Sequence, residues 1–142
     1  MSEKVLLVDD EEDFLEIMAE RMRARDMIVE TCTSAEEAYK KIASENFDAI
    51  ILDFMMPGVD GMRALKEIKA KSPESQIILL TGHATIEKSV EAMKAGATDF
   101  LEKPADLKAL EQKIKDASAR RMVIVEKQAE ERIKDVIRRM GG

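Results

Sequence analysis

Residues 48–61 read DAIILDFMMPGVDG, a short apolar run followed by a stretch that only a loop can accommodate. The four consecutive apolar residues predict a strand over 48–54 that is buried on both faces, as in a parallel sheet. Pro57 and Gly58 then interrupt any regular element, so the chain turns soon after the strand. One aspartate, Asp53, therefore stands near the carboxyl end of a buried strand.

Four more apolar runs of strand length occur along the chain, and helical patterns separate them. The five predicted strands cover residues 4–8, 27–31, 48–54, 76–81 and 98–102. Five βα repeats predict an α/β fold, a doubly wound parallel sheet with helices on both faces. Right-handed crossovers leave few alternative topologies.

Apolar residues between the strands recur at the three- and four-residue spacing of amphipathic helices. The predicted apolar positions are Phe14, Ile17, Met18 and Met22 in the first helix, Ala38 and Ile42 in the second, Met62, Leu65 and Ile68 in the third, and Ile86, Val90 and Met93 in the fourth. Ser34 followed by Glu37 is a capping-box pattern that opens the second helix. Gly96 is placed to end the fourth helix with a positive φ.

The composition restricts the class of protein. The chain has 142 residues, a net charge of −6, 45% hydrophobic and 37% charged residues, which is typical of a soluble globular domain. No apolar run approaches the ~20 residues that cross a bilayer, and the N-terminus lacks the pattern of a secretory signal. Cys32 is the one cysteine, which excludes an internal disulfide and a cysteine-based metal site. We therefore expect a cytoplasmic protein that does not bind nucleic acid directly, since a nucleic-acid binder usually carries a basic patch.

The polar side chains best suited to chemistry lie at the carboxyl ends of the predicted strands. This is the edge of such a sheet at which ligands bind. They are Asp9, Asp10, Asp53, Thr81 and Lys103. Three crowded carboxylates repel one another, and a hard divalent cation such as Mg²⁺ removes that cost. An aspartate can attack phosphorus to form an acyl phosphate, while a cation, a hydroxyl donor and an ammonium stabilise the transferring group.

Four motifs, each ending a predicted strand, resemble those of the receiver domains of bacterial response regulators. They are VDDE at 8–11, LDFMMPGVDG at 52–61, LTG at 80–82 and FLEKP at 100–104, and the resemblance spans about residues 3–118. It implies a flavodoxin-like sheet with strand order 2-1-3-4-5. It also implies a two-component signalling protein, not an enzyme, that promotes its own phosphorylation and dephosphorylation.

The resemblance assigns the phosphoacceptor and metal ligands. Asp53 would accept a phosphoryl group from a histidine kinase or a small phosphodonor. Asp10 and Asp53 would bind Mg²⁺ directly, with the backbone carbonyl of Met55, and Asp9 would act directly or through water.

Further roles follow from the same resemblance. Thr81 would donate a hydrogen bond to the phosphoryl group and move toward it, and Lys103 would pair with it, with a cis Lys103-Pro104 bond. Phe100 occupies the position of the switch aromatic, whose rotamer reports the movement of Thr81. Met55, Gly82 and His83 would flank the phosphate, and the apolar Met55 is expected to slow the loss of phosphate.

Simpler interpretations remain open at several of these positions. Glu11, Glu12 and Asp13 fit the acidic N-terminus of a helix. Phe100 could be ordinary core, and His83 is interpreted as a surface loop residue near the pocket. A hydrolytic phosphatase would need a second acid just after Asp53, where the sequence has Phe54 and Met55. A receiver that had lost its chemistry and served only as a scaffold would lack Asp53, Asp10 or Lys103, and this sequence has all three.

The last part of the chain is helical from Asp106 without a Gly or Pro until Gly141. Apolar residues continue past the receiver motifs at Met122, Val125, Ala129, Ile133, Val136 and Met140. We divide the chain into a receiver, 1–118, and a helical extension, 119–142, that serves as a linker or dimerisation segment. We expect a homodimer through the C-terminal helix or through the face of the fourth and fifth helices. Since no room remains for an output domain, we expect output through a downstream protein target, or a chain that is the receiver–linker part of a larger transcriptional activator.

Overall fold

The computed structural model describes residues 2–54, 56, 60–82 and 85–141. Strands and helices alternate over these residues, as the sequence predicts. The elements are β1 (Lys4–Val8), α1 (Glu12–Arg23), β2 (Ile28–Cys32), α2 (Ala35–Ser44), β3 (Ala49–Asp53), α3 (Gly61–Lys71), β4 (Ile77–Thr81), α4 (Ile86–Lys94), β5 (Asp99–Glu102) and α5 (Leu107–Met140).

The five strands form one parallel sheet in the order β2-β1-β3-β4-β5. The predicted strand order is therefore confirmed. Val8 pairs with Leu52, Asp53 with Leu80, and Thr81 with Glu102 in the register of neighbouring strands. The strands consequently end almost level with one another, which brings their last side chains to one edge of the sheet.

The hydrophobic core lies on both faces of the sheet. Every residue of β3 and of β4 is buried. Alternate side chains enter opposite clusters, so Ile50 and Leu52 pack on one face while Ala49 and Ile51 pack on the other. The absence of polar alternation in these strands follows from this double burial.

β1 has the predicted bounds, and the other four strands differ from theirs by one residue at one end or both, where neighbouring groups make other hydrogen bonds. The N–H of Met27 donates to the carbonyl of Met22 at 3.3 Å, which closes the turn after α1 and delays β2 to Ile28. The hydroxyl of Thr98 accepts a hydrogen bond from the N–H of Ile77 at 3.2 Å, just before β5 begins.

Two predicted helix ends are confirmed. The hydroxyl of Ser34 accepts a hydrogen bond from the N–H of Glu37 at 3.2 Å and caps α2. The carboxylate of Glu37 turns back to accept from the N–H of Thr33 at 3.3 Å, one residue before the cap. Gly96 follows α4 with φ 107°, in the region that favours glycine.

The predicted apolar faces of α1 and α4 need correction. Ile17 is 52% exposed, and α1 instead buries Leu15, Met18, Ala19 and Met22. In α4, Ile86, Val90 and Met93 are 85%, 46% and 46% exposed. The small Ala92 is the buried residue of α4, so this helix packs through its backbone and a methyl group and leaves its large apolar side chains outside.

α5 confirms the expected long C-terminal helix, with 34 residues and a length of about 51 Å. Leu110, Ile114 and Ala117 bury its first part against the sheet. The hydroxyl of Ser118 lies 3.2 Å from the carboxylate of Asp48, just before β3, so α5 leaves the sheet at the amino edge of the strands.

No helix in the described part of the chain has both the length and the apolar character needed to span a membrane.

Candidate functional site

The polar residues singled out in the sequence lie at the carboxyl edge of the sheet. Asp9 follows β1, Asp53 ends β3 and Thr81 ends β4, with exposed fractions of 1%, 5% and 0%. Asp10 lies beside them and is exposed. The edge therefore holds buried acids next to one acid that solvent can reach.

Three carboxylates form the most polar part of this edge. One oxygen atom from each of Asp9, Asp10 and Asp53 lies within 4.8 Å of the others. Carboxylates this close repel one another unless positive charge lies between them. Mg²⁺ prefers oxygen ligands and keeps several bound water molecules. A group of carboxylates of which one is accessible to solvent therefore suits this ion.

Asp9 is held in place by contacts from two elements. One carboxylate oxygen accepts a hydrogen bond from the N–H of Glu11 at 2.9 Å. The other accepts from the ammonium of Lys103 at 2.7 Å. Since both oxygens already have partners, Asp9 has less freedom to bind a cation than the exposed Asp10.

Lys103 follows β5 and supplies the positive charge. Its Nζ lies 2.7 Å from Asp9 and 3.7 Å from Asp53. Burial acts to lower the pKa of Lys103, but the hydrogen bond to Asp9 and the charge of Asp53 outweigh burial and raise this pKa above its ordinary value. The ammonium therefore stays protonated at neutral pH. Its backbone N–H donates to the carbonyl of Thr81 at 2.7 Å, which ties the lysine to the end of β4.

The peptide bond between Lys103 and Pro104 is cis, as the resemblance implies. Phe100, on β5, is half-buried, and its ring lies 6.1 Å from that of Phe54 with an interplanar angle of 59°. Phe100 thus packs against the residue that follows the candidate phosphoacceptor strand.

Two features of the edge were not found by sequence reasoning. The Nζ of Lys103 lies over the ring of Phe14, 4.3 Å from its centroid. The sequence predicts Phe14 only as an apolar helix residue, and its spacing gives no signal of a contact with Lys103. The sequence predicts Gly61 as part of a loop, but it begins α3, and a Cβ atom there would collide with the backbone carbonyl of Phe54.

The collision explains the glycine, because α3 starts against the end of β3 at a distance that no side chain allows. The side chain of Asp60 caps α3 by accepting from the N–H of Met62 at 3.0 Å. A glycine placed eight residues after Asp53 and preceded by an aspartate is the sequence signal that could have indicated this close approach.

The residues expected to flank a phosphate are only partly described. Met55 and His83 lie outside the described residues. Gly82 is exposed, and a Cβ atom there would have no atom within 4 Å from the part of the chain that the structure describes, its chain neighbours aside.

Comparisons with known proteins agree with this geometry. Residues 5–115 match the family model of the response regulator receiver domain. The chain is 35% identical over 115 residues to the transcriptional regulatory protein ZraR of Salmonella typhimurium, covering 81% of this chain and 26% of ZraR. The chain thus spans about a quarter of the length of the curated relatives it matches.

Solved structures give the same fold. The beryllofluoride-activated NtrC4 receiver domain dimer is 36% identical with a TM-score of 0.78, over 83% of this chain and 98% of that one. A response regulator of Burkholderia pseudomallei, solved with a phosphorylated aspartic acid, a calcium ion and citrate, is 26% identical with a TM-score of 0.75. That match covers 99% of this chain and 86% of the other.

Proposed function

Because the chain belongs to the response regulator receiver domain family, we propose that it is a Mg²⁺-dependent phosphorylation switch with Asp53 as the phosphoacceptor. The observation that carries this proposal is the convergence of Asp9, Asp10 and Asp53 within 4.8 Å, with the Lys103 ammonium beside them. Two buried acids beside a partly buried cation at the carboxyl edge of a parallel sheet are costly for stability alone, so their grouping points to chemistry.

The proposed metal ligands are those that the family resemblance implies, and the contacts of Asp9 are consistent with its place among them. Asp10 and Asp53 would bind Mg²⁺ directly, with the backbone carbonyl of Met55. Asp9, whose two oxygens already accept hydrogen bonds, would act directly or through water. When bound, the ion neutralises the charge of the acids and of the phosphate oxygens. The B. pseudomallei relative supports a divalent site of this kind, since it holds a calcium ion.

The transfer step uses the carboxylate of Asp53 as a nucleophile. A bond forms between its oxygen and the phosphorus of the donor, and the bond from phosphorus to the donor's leaving atom breaks. The leaving atom is an imidazole nitrogen of a histidine kinase, or an acetate oxygen when acetyl phosphate is the donor. The electron pair of the broken bond stays with the donor, and Asp53 becomes an aspartyl phosphate.

The Lys103 ammonium lies where negative charge gathers during this transfer. It is 3.7 Å from Asp53, so it can pair with a phosphoryl oxygen without leaving the edge. Attack of water on phosphorus later restores the carboxylate and releases phosphate. The chain thereby promotes its own phosphorylation and dephosphorylation and turns over no other substrate.

The signal would pass through Thr81 and Phe100. The Thr81 hydroxyl would donate to the phosphoryl group and move toward it, and the half-buried ring of Phe100 would take up the space that this movement frees. Thr81→Ala should still accept phosphate at Asp53 but should leave the NMR signals of Phe100 unchanged on phosphorylation. A normal Phe100 response in Thr81→Ala would remove Thr81 from the switch.

The flanking residues Met55, Gly82 and His83 would set the lifetime of the phosphorylated state. The apolar Met55 should keep water from being positioned against phosphorus, and so slow dephosphorylation. Met55→Asn, which can hydrogen-bond a water, is expected to lose phosphate faster. Equal rates for Met55→Asn and the unchanged protein would reject this role.

The direct test of the acceptor is incubation with acetyl phosphate and Mg²⁺ followed by intact-mass measurement. The unchanged chain should gain the mass of one phosphoryl group, and Asp53→Ala should gain none. Asp13→Ala is a matched control, since Asp13 is an exposed acid on the first turn of α1. A gain of mass in Asp53→Ala would overturn the assignment.

The proposed partners are a histidine kinase as phosphodonor and a downstream protein as target, in the cytoplasm and without direct nucleic-acid binding by this chain. The curated relatives are about three times as long as this chain, and ZraR is a transcriptional regulatory protein. The second candidate function is therefore the regulatory receiver–linker part of a longer transcriptional activator. Fusion of the chain to a reporter DNA-binding module, with output that depends on Asp53, would support it.

The chain would divide into a receiver, residues 1–118, and a helical extension, residues 119–142. Ala117 is the last fully buried residue of α5 in the described part of the chain, and Ser118 makes a hydrogen bond to Asp48. Beyond them, Met122, Ile133, Val136 and Met140 are 59%, 60%, 52% and 81% exposed. Such an apolar row on a solvated helix favours pairing with a second copy through the extension.

The exposed face of α4 and α5 is the other candidate dimer surface, since Ile86, Val90 and Met93 lie outside the core. A neighbouring receiver, NtrC4, is dimeric when activated by beryllofluoride. Light scattering with and without phosphorylation separates the two surfaces: a constitutive dimer indicates the extension, and a dimer only after phosphorylation indicates the receiver face.

A further inference from the structure

The ring of Phe14 and the ammonium of Lys103 come from distant parts of the chain and meet at the candidate site. The Nζ atom lies 4.3 Å from the ring centroid, well within the ~6 Å range of a cation–π interaction. No hydrogen-bonding group is needed for this contact, which is why it does not appear in the motif of acids, hydroxyl and lysine.

Three groups surround this ammonium, and one of them is a hydrogen-bond acceptor at short range. An ammonium has three N–H groups, and its neighbours are Asp9 at 2.7 Å, Asp53 at 3.7 Å and the face of Phe14 at 4.3 Å. The Lys103 side chain is 19% exposed, so little of it remains for water. A lysine stem is flexible, and an aromatic face on one side limits the directions in which the ammonium can turn.

The fold places Phe14 beside the acids. α1 begins at Glu12, and the N–H of Glu11 holds the carboxylate of Asp9, so the turn that carries the acids leads directly into the helix that carries the ring. Leu15, one residue on, is buried and anchors α1 on the sheet, and the half-buried Phe14 packs at the margin of the same cluster. The ring therefore has a fixed support, unlike the lysine.

We propose that Phe14 is a positioning residue for phosphoryl transfer, which holds the Lys103 ammonium against the acid cluster through the face of its ring. This inference rests on the proposed role of Asp53. The contact that the ring makes at this edge is with Lys103, so it acts through that side chain. Its removal should slow phosphorylation at saturating Mg²⁺ and leave the Mg²⁺ concentration for half-maximal rate unchanged.

The test is a series of rings of nearly constant shape at position 14, with phosphorylation by acetyl phosphate followed by intact mass. Fluorinated phenylalanines with one, two and five fluorine atoms progressively weaken the negative face of the ring. We expect a stepwise fall in the phosphorylation rate along the series, reaching roughly three- to tenfold for Phe14→Leu. Phe14→Tyr should retain the original rate. A role limited to filling space would not follow the electron density of the ring.

Ile17→Ala is the matched control, because Ile17 lies on the same helix and is 52% exposed. It should phosphorylate at the original rate. Variants that lose stability are identified by their Tm, and the fluorinated rings keep the test valid if Phe14→Leu does not fold. A flat fluorine series would overturn the role of Phe14.

Failure of the proposed function and failure of the role of Phe14 give different results in this experiment. If the unchanged chain gains no phosphoryl group, the proposed function fails. If the unchanged chain is phosphorylated at Asp53 and the fluorine series is flat, only the role of Phe14 fails.

Discussion

The two halves of α5 carry the same kind of apolar repeat and meet different environments. In the first half, Leu110, Ile114 and Ala117 are fully buried against the sheet. In the second half, Ile133 and Val136 are 60% and 52% exposed. The repeat therefore establishes a helix with an apolar face, while burial depends on whether another surface is present to cover that face.

The same difference separates α3 from α4. α3 buries Leu65 and Ile68, as its repeat predicts. α4 has an equally clear repeat, yet it packs through Ala92 and leaves Ile86 the most exposed of its large apolar residues. Large apolar side chains lie outside the core both on a helix beside the candidate site and on a helix that leaves the domain. Such exposed apolar residues favour the interpretation that a partner covers these surfaces.

The largest effect on the free energy of unfolding is expected when the same residue type is replaced in each half of α5. Ile114→Ala removes a fully buried side chain and should lower the free energy of unfolding by about 2–5 kcal/mol, because a cavity remains. Ile133→Ala should change it by less than about 0.5 kcal/mol in the monomer. Urea unfolding, at a concentration where light scattering gives a monomer, measures both. Equal losses would show that the second half is buried in the folded chain.

The next effect concerns self-association. Ile133→Glu places a charge in the exposed apolar row and should weaken the proposed dimer by more than about tenfold, since a charge buried in an interface is costly. Lys127→Glu, about 120° around the helix from Ile133, is the control and should leave the dimer intact. Analytical ultracentrifugation gives both dissociation constants. A dimer that tolerates Ile133→Glu does not use this row.

A smaller effect is expected when one ion pair is removed from each half of α5. Lys113 contacts Asp99 at 2.6 Å with both side chains about two-thirds buried, and Arg139 contacts Asp135 at 3.1 Å on an exposed turn. Lys113→Ala should cost roughly 0.2–1 kcal/mol of unfolding free energy and should cost less in high salt. Arg139→Ala should have no measurable effect. A larger loss for Arg139→Ala would indicate that the extension is ordered by a contact.

The smallest effect is expected from removing the extension altogether. α5 leaves the sheet at the amino edge, next to Asp48, while the acids lie at the carboxyl edge. A chain that ends at Ser118 should therefore phosphorylate at Asp53 within about twofold of the full rate and should keep its cooperative unfolding. A strong loss of phosphorylation in this shorter chain would mean that the extension belongs to the receiver.

The sequence predicts the strands and the grouping of the polar residues, but it does not predict how the elements pack together. The strands are predicted to within one residue, because runs such as residues 49–52 are apolar without interruption and fit only a doubly covered sheet. The strand order then brings Asp9, Asp53, Thr81 and Lys103 to one edge. What local patterns do not encode is the packing between elements: the exposure of Ile17 and Val90, and the closeness of Lys103 to Asp9.

The contact of Phe14 with Lys103 belongs to the same category. Phe14 fits an ordinary amphipathic repeat, and only the three-dimensional path of β5 shows that a lysine 89 positions later lies over its ring. The close approach of Gly61 to Phe54 is likewise a matter of how α3 meets β3. Residue types indicate the chemistry of the edge, and the tertiary structure decides which side chains support it.

The most direct test of the phosphorylation switch is to locate the acyl phosphate chemically. The full chain is incubated with acetyl phosphate with Mg²⁺ or with EDTA, and then reduced with borohydride, which converts an aspartyl phosphate into homoserine. We expect homoserine at position 53 alone, formed with Mg²⁺ and absent with EDTA, as peptide mass mapping would show. Homoserine at another aspartate, or equal labelling with EDTA, would contradict a Mg²⁺-dependent switch at Asp53.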